Sequence, residues 1–118
     1  MTNNTKRNFV ETNICVAFMN RLKQYHPEIE ALIFHVPNES KTAQRTDIGI
    51  KAGMPDYCLP VSRGGFGCLF LEIKKPKGRV SDDQVIKIDE LIEAGNKVVI
   101  CYSWKEAVDE CVEYWNYD

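Results

Sequence analysis

Residues 56–74 read Asp56-Tyr57-Cys58-Leu59-Pro60-Val61-Ser62-Arg63-Gly64-Gly65-Phe66-Gly67-Cys68-Leu69-Phe70-Leu71-Glu72-Ile73-Lys74. Tyr57, Leu59 and Val61 alternate with Asp56, Cys58 and Pro60, the period of a strand. Cys68 to Lys74 is a second such run, with Cys68, Phe70, Glu72 and Lys74 on one face and Leu69, Leu71 and Ile73 on the other. The Arg63-Gly64-Gly65-Phe66-Gly67 segment between them carries turn residues, so the spacing predicts a β-hairpin. Pro60 has no N–H for a ladder, which puts the first strand at a sheet edge or makes it irregular near its end. With the turn centred near Gly64, Asp56 falls opposite Glu72; a slip of one residue would send one carboxylate to the other face.

On the N-terminal side, Phe9, Val10, Ile14, Ala17, Phe18, Leu22 and Tyr25 recur at the helical period, predicting a helix from Thr5 to Tyr25 that Pro27 ends. Ala31 to Val36 is a short β-type run stopped by Pro37. Asn38 to Gly53 is a polar connector with a short helix around Ala43 to Ala52. On the C-terminal side, Lys75-Pro76-Lys77-Gly78-Arg79 breaks the second hairpin strand. Ser81 to Ala94 then has Val85, Ile88, Leu91 and Ile92 on one face, a capping box from Ser81 to Gln84, and a stop at Gly95. Lys97 to Tyr102 is another strand. Ser103 opens a last helix with its own capping box to Glu106 and an apolar face of Ala107, Val108, Cys111, Val112 and Trp115, leaving Tyr114 and Tyr117 on the exposed side. Strands alternating with helices around one hairpin predict an α/β fold, a mixed β-sheet flanked by helices.

At 118 residues, with 44% apolar and 27% charged residues, the expectation is one domain spanning 1–118 that folds on a single core. No stretch approaches the roughly 20 apolar residues of a membrane span, and the N-terminus lacks the apolar segment of a signal peptide. The expectation is a soluble cytoplasmic protein with no membrane partner. Five cysteines without a Cys-x-x-Cys pair agree, and argue against a disulfide scaffold or zinc knuckle. The net charge of −2 is not that of an ordinary nucleic-acid-binding domain. Its distribution is uneven: residues 41–79 carry eight basic and three acidic side chains, residues 80–118 three and ten. A basic middle segment serves a phosphate backbone, or is merely an uneven surface.

Three charged residues sit where packing alone would not put them. Glu72 and Lys74 project side by side from a strand that helices should bury. Two carboxylates facing each other, Asp56 and Glu72, repel unless a cation lies between them. Mg²⁺ takes oxygen ligands and would resolve that conflict; so would an ion pair in which Lys74 neutralises Glu72. Glu11 shares a helix face with Ile14, Cys15, Phe18 and Leu22, and is either a boundary residue reaching water or a further acid of the same site. Gln84 has a structural reason already in its capping box. His35 is a lone histidine on an apolar strand, a packed or surface imidazole or else a ligand or base. Lys75, Lys77 and Arg79, with Gly78 allowing close backbone approach, form either a phosphate-gripping loop or a solvated turn.

Gly53-Met54-Pro55-Asp56, then Leu71-Glu72-Ile73-Lys74, then Gly78 with Ser81 and Gln84, then a helix closed by Gly95, resembles the VRR-NUC (virus-type replication-repair nuclease) family of the PD-(D/E)XK superfamily. Pro37-Asn38-Glu39 after the first strand is also similar to that family, and the likeness runs from about Glu11 to about Tyr102. The resemblance implies a restriction-endonuclease-like core. It makes Asp56, Glu72 and the backbone carbonyl of Ile73 ligands of Mg²⁺ or Mn²⁺, and Lys74 the motif lysine. Glu11 and Gln84 match acid and glutamine positions that orient metal or water, Glu11 as a further ligand. Nucleic-acid contacts are expected from Lys41, Arg45, Lys51, Lys75, Lys77 and Arg79, although Lys41 and Arg45 are scattered where relatives carry a denser basic helix.

The expected activity is metal-dependent hydrolysis of DNA phosphodiester bonds by a structure-specific endonuclease, leaving 5′-phosphate and 3′-hydroxyl ends. Stand-alone domains of this size resemble Holliday-junction-resolving homodimers, in which twofold symmetry supplies two sites for a four-way junction. Two other classes compete: a non-catalytic nucleic-acid-binding module that kept the fold, and a small α/β interaction protein whose acidic last helix binds a partner.

Overall fold

The computed structural model describes residues 2–37 and 46–118, with the backbone alone for 2–8 and 46. Its elements are α1 (Thr2–Tyr25), α2 (Pro27–Glu30), β1 (Phe34–His35), a 3₁₀ turn (Thr46–Ile48), β2 (Tyr57–Leu59), β3 (Leu69–Ile73), α3 (Asp82–Glu93), β4 (Lys97–Cys101) and α4 (Trp104–Trp115). The strands form one mixed sheet in the order β1-β2-β3-β4, antiparallel at the first two interfaces and parallel at the third. Because β3 and β4 run parallel, α3 supplies the crossover between them.

The predicted hairpin register holds: Tyr57 pairs with Leu71, Cys58 with Phe70 and Leu59 with Leu69. One step further along, the same register carries Asp56 to Glu72. Pro60 does not mark an edge, since β2 lies inside the sheet; the ladder simply stops at Leu59, before the residue that cannot donate. Tyr57, Leu59, Leu69, Leu71 and Ile73 pack with Phe18 and Leu22 of α1 and with Ala107, Val108, Cys111 and Tyr114 of α4. This face is the core. At about 1.5 Å per residue α1 is roughly 36 Å long, far longer than the five-residue strands, so Phe9, Val10 and Tyr25 lie outside the core and are exposed.

Several expectations need correction. The 31–36 run is strand only at Phe34–His35, because Ala31 and Leu32 close the turn after α2. The connector helix is reduced to the 3₁₀ turn, its earlier residues lying outside those described. On α3, Val85 and Ile92 are exposed, and the side turned to the sheet carries Gln84, Lys87, Ile88 and Leu91. Gln84 is bonded to a strand residue, which rotates the helix away from the purely apolar arc. On α4, Tyr114 is fully buried, its hydroxyl donating to the Val61 carbonyl at 2.6 Å, and Tyr117 packs edge-on against it. Ser103 accepts from the Glu106 N–H as expected, but the Glu106 carboxylate answers at the Tyr102 N–H, one residue before the cap.

The sheet has two distinct ends. The Gly67 N–H donates to Gly95 at the end of α3, so the hairpin turn and the C-terminus of α3 share one end. Asp56, Lys74, the 75–79 loop and the first turn of α3 share the other. Gly53, at φ +78°, packs so closely on that first turn that a Cβ would run into the Asp83 carbonyl. Among the described residues no helix is long and apolar enough to cross a membrane.

Candidate active site

Asp56 enters from the loop that Gly53 lays against α3. Its Oδ2 accepts the Ile73 N–H at 2.7 Å, which ties the start of β2 to the end of β3. In an extended strand the N–H and C=O of one residue point to the same side, so the Ile73 carbonyl also faces Asp56. Glu72 projects from the opposite face to the core and is 3% exposed. Its Oε2 receives the Lys74 ammonium at 3.3 Å and the Gln84 Nε2 at 2.8 Å, while its Oε1 is buried with no hydrogen-bond partner among the described residues.

Gln84 uses both ends of its amide. Oε1 accepts the Ser81 N–H at 2.9 Å to complete the capping box, and Nε2 holds Glu72. The capping box is therefore present, and the same amide also reaches Glu72. Glu11 approaches from α1, its Oε2 accepting the Lys75 N–H at 3.3 Å. The α1 acid and the basic loop are joined through that bond. The loop is a tight turn in which the Gly78 N–H donates to the Lys75 carbonyl at 2.8 Å and Lys77 adopts a left-handed φ of 64°. Lys77, Arg79 and Lys51 are exposed and Lys75 is half-buried. Lys41 and Arg45 lie outside the described residues.

Burial, then repulsion from Asp56, pushes the Glu72 carboxyl up to about 7 against the pull of Lys74 and Gln84. Burial also raises Asp56, although the Ile73 N–H opposes it. One ammonium does not compensate two buried carboxylates. Among the described residues no three His, Cys, Asp or Glu side chains form a ready-made metal cluster. What the site offers is hard oxygen: Asp56, the Oε1 of Glu72 that no described residue occupies, and the Ile73 carbonyl, a donor set that fits Mg²⁺ or Mn²⁺. Burial holds the Cys15 thiol up to about 11 and keeps the Cys58 and Cys101 thiols up to about 12, which removes them as nucleophiles.

The VRR-NUC domain model matches residues 7–105 of the chain. The chain belongs to the VRR-NUC family. A solved VRR_NUC domain protein is similar, with 25% sequence identity over 89% of this chain and 87% of the other and a TM-score of 0.77. No curated protein matches the sequence. The matched span contains the Gly53 loop, the Glu72-Ile73-Lys74 strand end and the capped first turn of α3, so this VRR-NUC domain has a nuclease-type α/β fold. His35 is the residue on which sequence reasoning was weakest. It is exposed on β1 opposite Tyr57, with the rings edge-on at 5.3 Å and Asp56 next along β2. The β1–β2 register, which pairs His35 with Tyr57, is the signal that places it beside Asp56.

Proposed function

We propose that this chain is a metal-dependent, structure-specific DNA endonuclease that hydrolyses phosphodiester bonds, and that it resolves four-way junctions as a homodimer. The observation that carries the reading is the divided Glu72 carboxylate. One oxygen is held by Lys74 and Gln84 and the other is buried without a partner among the described residues, beside a second carboxylate. A buried anion left half-satisfied is costly, and a divalent cation removes that cost.

Asp56, Glu72 Oε1 and the Ile73 carbonyl would hold Mg²⁺ or Mn²⁺, with Glu11 completing the set at the loop side. When bound, such an ion supplies Lewis-acid stabilisation of the phosphate and a more acidic water. The chain's own residues do the rest. Lys74, fixed by its ion pair, orients the attacking water and offers positive charge to the phosphorane. Gln84 locks the Glu72 rotamer from a capped helix end. Lys51, Lys75, Lys77 and Arg79 hold the flanking phosphates.

The test uses wild type and Asp56→Asn with end-labelled four-way junction, flap, duplex and single-stranded DNA, in Mg²⁺, Mn²⁺ or chelator. Metal-dependent cleavage by wild type alone is expected, with paired nicks in opposed strands of the junction. Binding without cleavage of any of these makes the chain a recognition module instead, and a fully active Asp56→Asn removes the assigned site.

A further inference from the structure

A cleft of about 650 Å³ opens beside the carboxylates, between α1 and the β1–β2 edge. Glu11 and Asp56 line it, so it is continuous with the proposed catalytic centre. It follows α1 from Glu11 to Asn20, about 13 Å of helix at 1.5 Å per residue. Its volume is within the roughly 300–1,000 Å³ of small-ligand sites.

Val16 and Met19 form an apolar wall, Tyr57 and the exposed ring of His35 stand edge-on to each other, and Asn20 adds an amide at the rim. Among the described residues no Lys or Arg lines it, so the described walls offer no cationic side chain to grip a phosphate. The Thr12 hydroxyl, the His35 ring and the Asn20 amide are the exposed uncharged polar groups of the lining that face a guest, with the buried Tyr57 and the half-buried Cys15 beside them. A flat, uncharged group with hydrogen-bonding edges fits these walls. α1 carries two stripes accordingly: Ile14, Phe18 and Leu22 face the core, while Val16 and Asn20 face the cleft, with Met19 between them touching both; Val16 is 53% exposed.

We propose that this cleft takes one unpaired nucleobase of the strand being cut, next to the scissile phosphate. This rests on the nuclease reading and adds the feature of DNA that the site selects. With the phosphate at Asp56 and Glu72 and the flanking phosphates on the basic loop, the neighbouring nucleoside lies against α1, its base between Val16, Met19 and the His35 ring. A paired and stacked base shows only its edges in the grooves and must leave the stack to enter. Branch points, flaps and single strands present such a base without that cost; continuous duplex does not.

The experiment places 2-aminopurine or an abasic residue, in turn, at each position around the branch of a flap substrate, and uses wild type, Val16→Trp and Asp56→Asn. Val16→Trp fills the cleft from an exposed position, and its circular dichroism and melting point are checked against wild type. Fluorescence titrations in Ca²⁺ read base binding without cleavage; kcat/KM in Mg²⁺ reads its consequence. With base stacking worth roughly 1–3 kcal/mol, one abasic position lowers wild-type kcat/KM by about tenfold or more. Val16→Trp loses a similar factor and becomes indifferent to that abasic position. A 2-aminopurine signal at that position with wild type and Asp56→Asn, absent with Val16→Trp, supports the inference even if no DNA is cut, in which case the nuclease reading alone fails. Metal-dependent cleavage that no single abasic position affects, or that Val16→Trp leaves unchanged, overturns the cleft's role and leaves the nuclease standing.

Discussion

Gln84 is the residue on which the site turns, because one amide closes a helix cap and positions a buried carboxylate. Gln84→Glu separates the two jobs. Glutamate still serves the capping box through the Ser81 N–H, but it turns an oxygen instead of an N–H toward Glu72 Oε2. The expected result in chelator is a loss of about 1–2 kcal/mol, the cost of a buried carboxylate oxygen that keeps Lys74 but loses its amide donor, and a chemical-denaturation midpoint equal to wild type would show that the contact carries no energy. Glu72 itself makes stability depend on pH. Its folded carboxyl is raised from 4.5 to about 7, so between those values the folded chain keeps a proton that the unfolded chain has released. Stability of the metal-free protein therefore falls as pH rises through that window, and Asp56, raised as well, acts in the same direction. Denaturation in chelator at pH 5 and pH 8 should show the fall for wild type and a smaller one for Glu72→Gln. Of these residues, Asp56 opposite Glu72 was legible in the sequence, since a glycine-centred hairpin and a period of two leave little freedom in register. The Gln84 contact with Glu72 was not, because it depends on how far α3 is rotated about its own axis. Tyr114 was missed for a related reason: the apolar arc of α4 can be centred on either flank, and the Val61 carbonyl selects the flank carrying Tyr114.

Among the elements, the 75–78 turn carries a conformational cost that the fold does not need for its own sake. Pro76 suits the second position of such a turn, but the third requires positive φ, where glycine or asparagine is ordinary and lysine is not. Strain kept at a binding loop points to a side chain wanted in a fixed direction. Lys77→Asn should then leave the melting temperature unchanged or raise it by a few degrees, an effect of up to about 1 kcal/mol, while DNA affinity falls. Melting curves and filter binding on the same preparation read both effects; equal affinity would make the turn merely structural. The long amphipathic elements were legible because many residues vote on each, whereas β1, two residues long, had only its neighbour β2 to define it. A run of six β-type residues gave no sign that α2 would use the first two as its exit.

For the molecule as a whole, the important quantity is where charge lies, not its sum. The basic 41–79 segment contributes Lys51, Lys75, Lys77 and Arg79 at the end of the sheet that carries Asp56, while acidic Glu93 lies at the C-terminus of α3, at the hairpin-turn end. A net charge of −2 would predict weak salt dependence if the protein met DNA as a uniform sphere. It does not, because fields beyond a Debye length of about 10 Å at 0.1 M salt are largely screened, and α3 and the strands separate the two ends. Each phosphate neutralised releases counterions and adds about −0.9 to the slope of log K against log salt for duplex DNA. If all four basic residues engage, their combined slope is about −3.6, and Lys77→Ala and Arg79→Ala each reduce it by about 1. Glu93→Gln, which changes net charge by the same single unit, should leave the slope where it was. Affinities of Asp56→Asn for duplex and junction DNA measured from 50 to 300 mM salt, with and without these changes, decide between the two pictures. A slope that follows net charge, moving by equal amounts in opposite directions for Glu93→Gln and Arg79→Ala, would disperse the DNA-binding face over the whole surface.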